Sequence, residues 1–360
     1  MGRAGERRVN PQRLETFCAL ALRQCGVSDE DSRLTARVMI RTNLRGIDSH
    51  GIRRLPVYVE RLKAGGINPA AEFQVVEKSV TTATIEANAG LGQAMAYRGV
   101  ELAISIARAQ HVAVVLIRNS HHFGAAGVYA LMCAEAGLIG QVFTSAPASM
   151  QVTGARGPVI GNGARAYGVP CDGDSIVLDL AMSTAVGAEV QRAASAGEAI
   201  PEGWLVDAAG QPSTDPSDFT RGGALMSIGG HKGYGLALVG ELIAGILSGA
   251  ATSSEIGPLP LPASRKWNAG HAFIAIDVEA FQPLDQFKAR VREFSDRISN
   301  SPKAPGVKRI RIPGHMAAER ERKALQNGLL IDAACWDSLE KVASNLEISR
   351  SLQNALIASV

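Results

Sequence analysis

The sequence predicts an α/β protein with helical terminal segments. Strand-like and helix-like stretches alternate between residues 81 and 146, the first 45 residues carry only helical spacing, and no long polar tract interrupts the pattern. Asn10 followed by Pro11 pairs a cap with a first-turn proline, TFCALALRQC continues at helical spacing, and Gly26 ends the helix. Ser28 then caps a second helix through DEDSRLTARVMIRTNL, so the opening is a helical hairpin. TTATIEA reads as a strand, LGQAMAYRGVELAISIARAQ as a helix and VAVVLI as a buried strand; AAGVYALMCAEAG as a helix and LIGQVFTSA as a strand follow. SIVLDLA and HAFIAIDV are further strands, and GYGLALVGELIAGIL is a core helix. PEGWLVDAAGQPSTDP is a long surface loop, Pro283 opens the helix QPLDQFKARVREFSDRI, and WDSLEKVASNL is a helix near the end.

Composition narrows the function. The 360 residues suffice for two or three domains, and 46% hydrophobic with 20% charged residues fits a globular chain. A net charge of +3 argues against nucleic acid or an anionic membrane as partner. GRAGERR is expected to be a solvated or disordered terminus. LALVGELIAGILSGAA is interrupted by Glu241 and too short to span a bilayer, so it reads as a buried helix. Five scattered cysteines without a CxxC pair fit structural thiols in a reducing compartment, which points to the cytoplasm.

Three polar clusters stand out. RNSHHFGAAG sets His121 beside His122, two of only seven histidines, between an apolar run and a small-residue run. Such a pair suits proton chemistry or a hydrogen-bonded loop anchor. The spacing argues against a metal held by both, because adjacent side chains on an extended segment point apart. LRGIDSHGIRRLP offers Arg45, Asp48, Ser49, His50, Arg53 and Arg54: an Asp or Ser beside a histidine fixes its tautomer, and an arginine grips a carboxylate. The same stretch also reads as a helix end with solvated arginines. In SIVLDLAMS, Asp179 lies in an apolar strand and needs a partner, a histidine or backbone amides. No GxGxxG follows a strand and no GxxxxGK[ST] loop exists; the nearest Gly-rich piece, IGGHKGYG, places Lys232 at a helix start where an anion could sit.

Taken in order, LRGIDSHGIRRLPVY, NSHHFGAAGVYA, VLDLAMS, PEGWLVDAAGQPSTDP, GGHKGYGLALVGELIAGILSGA and RIPG resemble the malate/L-lactate dehydrogenase-like family of NAD(P)-dependent oxidoreductases. The resemblance covers residues 10–345. It implies a non-Rossmann cofactor domain with a central mixed sheet (residues 65–299), and a smaller helical substrate and dimer domain (residues 1–64 with 300–360). It also implies a homodimer, NADH or NADPH as cofactor, and a small-molecule carboxylate substrate: a 2-oxo or 2-hydroxy acid, or a cyclic 2-imino acid (ketimine). By the same resemblance His50 is the acid that protonates the heteroatom, His122 the second pocket histidine and a proton acceptor in some members. His121 is left as an ordinary loop residue. Asp179 lies near the nicotinamide as a partner for a histidine. Arg54, with Ser49 and Arg45, holds the substrate, while Ser145, Leu180, Ser183, His231, Lys232 and Gly314 contact the cofactor.

The chain departs from the family's pattern at Met182, Gly187, Glu189, Gly163, Ala164 and His315, all around the pocket. Glu189 would repel a nearby phosphate, and Arg165 would offer an added cation. Beside the reductase stand two other readings: non-redox proton chemistry at the histidines, and a non-catalytic binding protein on the same fold.

Overall fold

The computed structural model describes residues 6–257 and 261–356. Its centre is a seven-stranded mixed sheet in the order Gln74–Lys78, Thr82–Glu86, Val112–Ser120, Ala269–Asp277, Leu138–Thr144, Arg165–Val169, Ile176–Leu180. Thr82–Glu86 and Val112–Ser120 run parallel, joined by the helix Gly92–Gln110; the other neighbours are antiparallel. One face is covered by Gly92–Gln110 and the helix Ala126–Glu135, whose small residues meet Val115, Ile117, Val142 and Phe273 in a continuous core.

A second core is helical and is built from both parts of the chain. Pro11–Arg23 and Asp29–Leu44 form the expected hairpin, with Asn10 and Ser28 accepting from the backbone amides of Arg13 and Asp31. Leu14, Phe17, Met39, Leu55 and Tyr58 pack there against Trp336 and Leu339 of the helix Ala333–Asn345. A third, smaller apolar core around Met150, Met182, Leu205 and Leu225 lies under a five-stranded sheet of short strands.

Three expectations need correction. Met1 and the first four residues of GRAGERR lie outside the described residues, but Arg7–Val9 is a strand paired with Leu329–Ile331, and the Arg7 guanidinium lies 5.1 Å from the Trp336 ring centre. PEGWLVDAAGQPSTDP is not a loop throughout: Leu205–Val206 and Pro212–Ser213 pair in the small sheet. The apolar helix His231–Glu241, continued as a π-turn over Leu242–Ile246, is not a buried core helix. It buries Gly233, Ala237, Gly240 and Glu241, while Leu236, Val239, Leu242, Ile246 and Leu247 stay 44–64% exposed. Hydrophobicity cannot tell a helix packed into the core from one that leaves an apolar face exposed on its own chain. Among the described residues no helix is long and apolar enough to cross a membrane.

Candidate active site

Two short 3-10 turns, Asp48–His50 and Ile52–Arg54, link the helices Asp29–Leu44 and Leu55–Lys63. Asn43 ties them together: its amide nitrogen donates to Asp48 Oδ1 at 2.7 Å and its oxygen accepts from the Ile52 amide at 2.7 Å. A Cβ on Gly51 would lie 2.0 Å from Asn43 Oδ1, so only glycine fits after His50. The Ser49 hydroxyl contacts His50 Nδ1 at 2.8 Å, and Arg54 Nε donates to the Ser49 carbonyl at 2.9 Å.

The double-histidine segment leaves the strand Val112–Ser120 and enters the helix Ala126–Glu135. The start of the helix Gly92–Gln110 presses on it: a Cβ at Gly92 would lie 2.3 Å and 2.5 Å from the carbonyl oxygens of His121 and His122. The two histidines point apart. His122 stacks on His50 with ring centres 5.4 Å apart, and its Nδ1 lies 2.7 Å from the Tyr58 hydroxyl, to which Gln93 Nε2 donates at 2.6 Å. Sequence reasoning brought His50 and His122 forward but assigned nothing to Tyr58 or Gln93. The available signal was one glutamine in an otherwise apolar helix start.

His121 is not an ordinary loop residue. Only 1% exposed, it stacks on Trp267 at 4.7 Å. The N–H groups of Arg61 Nε and the His122 amide approach its Nε2 and Nδ1, each at 2.9 Å, and the neutral ring accepts from one of the two. A neutral imidazole has one bare nitrogen and a protonated one has none, so protonation would set an N–H against both donors. The buried His271 continues the network, with Nδ1 2.9 Å from Thr144 Oγ1 and Nε2 3.0 Å from Ser120 Oγ. It stacks on Phe123.

Burial and a neighbouring cation keep these rings neutral. Burial, then the Arg54 charge, lowers His50 to about 4, and the same two causes hold His122 well below the histidine range. His121 is depressed by burial and Arg61, and His271 falls to about 3 through burial. Burial lifts Tyr58 to about 12.

Asp179 finds its partner in the backbone rather than in a histidine: its Oδ2 accepts from the Gly127 amide at 2.8 Å, in the first turn of Ala126–Glu135. Burial raises its carboxyl to about 6, against the lowering pull of that amide and of Arg45. Arg45, read as substrate-binding, is buried and paired with Glu321 Oε2 at 2.6 Å, which commits it to tying two helices together.

The cofactor candidates converge in part. Thr184 N donates to Met226 O and Ile228 N to Met182 O, so the segment holding Leu180 and Ser183 runs beside the turn that leads into His231 and Lys232. Val177 N donates to Pro313 O, setting Gly314 against the same edge strand. Leu180 packs into the small core, Ser183 N donates to Asn162 Oδ1, and the Ser145 hydroxyl accepts from the Gly270 amide. His231 and Lys232 are exposed, and a Cβ at Gly230 or Gly235 would meet nothing within 4 Å, so the backbone of this turn is bare. An exposed cation beside bare backbone at a helix start suits an anionic group such as a dinucleotide pyrophosphate.

The departures have local structural reasons. Met182 fills the small core; a Cβ at Gly163 would strike Thr144 O at 2.2 Å; Ala164 packs on the main core; Gly187 faces the Phe219 ring. Glu189 is exposed in the first turn of the helix Gly187–Ala196, where the helix dipole favours it. His315 starts the helix His315–Asn327 with a buried, unpartnered Nε2. Arg165 does not offer its cation at an open pocket: it is buried over the Phe143 ring and against Gly240, with Nε and Nη2 unpartnered. Among the described residues, no group of three or more His, Cys, Asp or Glu could hold a metal ion.

Comparison with known proteins agrees with this geometry. Residues 9–340 match the family model for malate/L-lactate dehydrogenase. The chain is similar to malate dehydrogenase of Pyrococcus abyssi, 33% identical over 348 residues and covering 95% of each protein. It is also similar to the delta(1)-pyrroline-2-carboxylate/delta(1)-piperideine-2-carboxylate reductase of Pseudomonas putida, 33% identical over 90% of this chain and 93% of that one. Among solved structures, sulfolactate dehydrogenase from Methanocaldococcus jannaschii superposes with a TM-score of 0.89 at 32% identity, covering 97% of this chain and 99% of that one. The missing GxGxxG, the stacked histidines and these likenesses lead to one conclusion: the chain belongs to the malate/L-lactate dehydrogenase family of NAD(P)-dependent oxidoreductases.

Proposed function

We propose that the protein interconverts a small 2-oxo acid and its 2-hydroxy acid, or reduces a cyclic 2-imino acid, with His50 as the general acid. The observation that carries this reading is the stacked His50–His122 pair within the field of Arg54, whose one hydrogen bond among the described residues is through Nε. Two imidazoles and a guanidinium with its end groups open are what a reaction at a carbon beside a carboxylate requires.

The nicotinamide cofactor, when bound, supplies or accepts the hydride. Reduction of C=O or C=N leaves negative charge on the heteroatom, and His50 delivers a proton there. Arg54, with Ser49 in support, holds the carboxylate. Burial is the larger cause of His50's depression and the Arg54 charge the second; an anion bound on Arg54 offsets that second cause, so the substrate itself raises the proton affinity of its acid. The Ser49 hydroxyl can donate or accept, and its bond to Nδ1 survives either state of the ring. Asp179, with a proton affinity close to neutrality, is the third group of the proposed centre. Ser145, Leu180, Ser183, His231, Lys232 and Gly314 would hold the cofactor.

The same reading divides the chain into a cofactor-binding lobe of residues 65–299 and a helical lobe of residues 1–64 with 300–360. It makes the protein a homodimer, supported by the exposed leucine face of His231–Glu241, and a cytoplasmic one, supported by five free thiols. Binding of NADH and NADPH to the purified protein, by fluorescence or calorimetry, is the test, followed by a screen of 2-oxo and cyclic 2-imino acids. A folded protein that binds neither nucleotide refutes the proposal.

A further inference from the structure

We propose that Gln93, acting through Tyr58, locks neutral His122 with its proton on Nε2, so that His122 meets the substrate as a fixed hydrogen-bond donor and leaves proton transfer to His50. This deepens the reductase reading and rests on it for the substrate, though not for the tautomer.

The tautomer follows from counting protons along one chain of contacts. Gln93, fully buried in the first turn of Gly92–Gln110, donates from Nε2 to the Tyr58 hydroxyl at 2.6 Å. A hydroxyl has a single proton. Among the described residues the Tyr58 hydroxyl contacts Gln93 and His122; with Gln93 donating to it, the one acceptor left for its own proton is His122 Nδ1, at 2.7 Å. Nδ1 is therefore an acceptor, and the ring proton sits on Nε2, which has no hydrogen-bond partner among the described residues.

The opposite amide orientation reverses every link, so what surrounds Gln93 decides. Its outer oxygen has no hydrogen-bond partner among the described residues. Turning the amide over would put an NH2 group, two donors, where that lone carbonyl now sits. Buried orphan N–H groups are rarer than under-satisfied carbonyls, which favours the donating orientation. Burial and the neighbouring Arg54 also resist a second proton on the ring.

The consequence is a division of labour within the pair. Ser49, a hydroxyl free to rotate, serves His50 in either protonation state. His122 faces a hydroxyl whose proton is already committed, so it stays neutral and presents N–H. Gln93 and Tyr58 are thus positioning residues, and His122 differs from the proton acceptor that resemblance alone assigns to it.

Imidazole-nitrogen-15 spectra of the whole protein read the tautomer directly, with His122→Asn assigning the signal. The wild type should show a protonated Nε2 and a bare Nδ1; a protonated Nδ1 overturns the proposal. Gln93→Glu keeps the shape but replaces the donor by an acceptor, so Tyr58 should turn toward it and the His122 proton should move to Nδ1. With an active substrate, Gln93→Glu should lower kcat by about a hundredfold, the lower end of what a placed proton group contributes. The KM for the nucleotide should be unchanged, and Gln93→Asn should not reproduce the tautomer change. An unchanged His122 spectrum in Gln93→Glu overturns the proposal too. Because the spectra need no turnover, a failed substrate screen would count against the reductase reading alone.

Discussion

The rings of His50 and His122 stack at 5.4 Å although one comes from a 3-10 turn in the helical part of the chain and the other from the mouth of the central sheet. The pair therefore reports on how two separately built cores meet, and it sets the terms for most of what can be measured.

His50→Ala should reduce kcat by at least about a hundredfold, the usual scale for general acid catalysis, with little change in nucleotide binding. Steady-state kinetics on the best substrate from the screen decide this. An undiminished kcat removes His50 from the acid role.

Arg54→Ala should act mainly on KM for the carboxylate substrate, raising it about tenfold to a hundredfold, as expected for loss of a charge-assisted hydrogen bond of ~1.5–3 kcal/mol. It should also move a pH limb. In 2-hydroxy acid oxidation His50 must be neutral to take a proton, so kcat/KM falls as pH drops through its value, about 4. Without the Arg54 charge that fall begins at higher pH. A variant with wild-type KM and an unshifted limb contradicts the clamp.

His271 should make the fold acid-sensitive. Its folded value, about 3, lies below the ordinary 6.5 of an unfolded chain. Its contribution is complete above pH 6.5 and drains as pH falls from there toward 3. At pH 5 the loss is ~2 kcal/mol, from about 1.4 kcal/mol per pH unit. Urea unfolding at pH 7 and pH 5 should show a smaller drop in His271→Asn than in the wild type, even though the variant starts lower. Equal drops would mean that His271 is not the group responsible.

The exposed residues Leu236, Val239, Leu242 and Ile246 recur at helical spacing and form one stripe. A charge set into that stripe should disrupt the proposed dimer. Light scattering should give the mass of two chains for the wild type and of one for a Val239→Glu, Leu242→Glu double variant. A wild-type monomer sinks the dimer proposal.

Much of this was legible in the chain, for identifiable reasons. Asn10, Ser28 and the strand–helix alternation act locally, so their signals lie within a few neighbouring residues. His50 and His122 stood out because histidine is scarce and both sit in polar loops. Tyr58, Gln93, Arg61 and His271 did not, because each looks like ordinary helix or strand filling until the fold sets a partner beside it. The same blindness misplaced two arginines. Arg45 looked free, and its partner Glu321 comes from a distant helix; Arg165 looked like a pocket cation, and the sheet turns it under Gly240.

The helical core joins residues 9–67 to residues 329–355, and the turn carrying Arg53 is tied to Asp332 by an ion pair. Translation adds residues at about 5–20 per second, so His50 waits on the order of tens of seconds for the helix that seats it. Until Trp336 has emerged, a nascent chain carries both histidines but lacks the surface that holds the first against the second. Chains that end before Trp336 should therefore be inert toward substrate, because the half of the core that supports the His50 turn is missing from them.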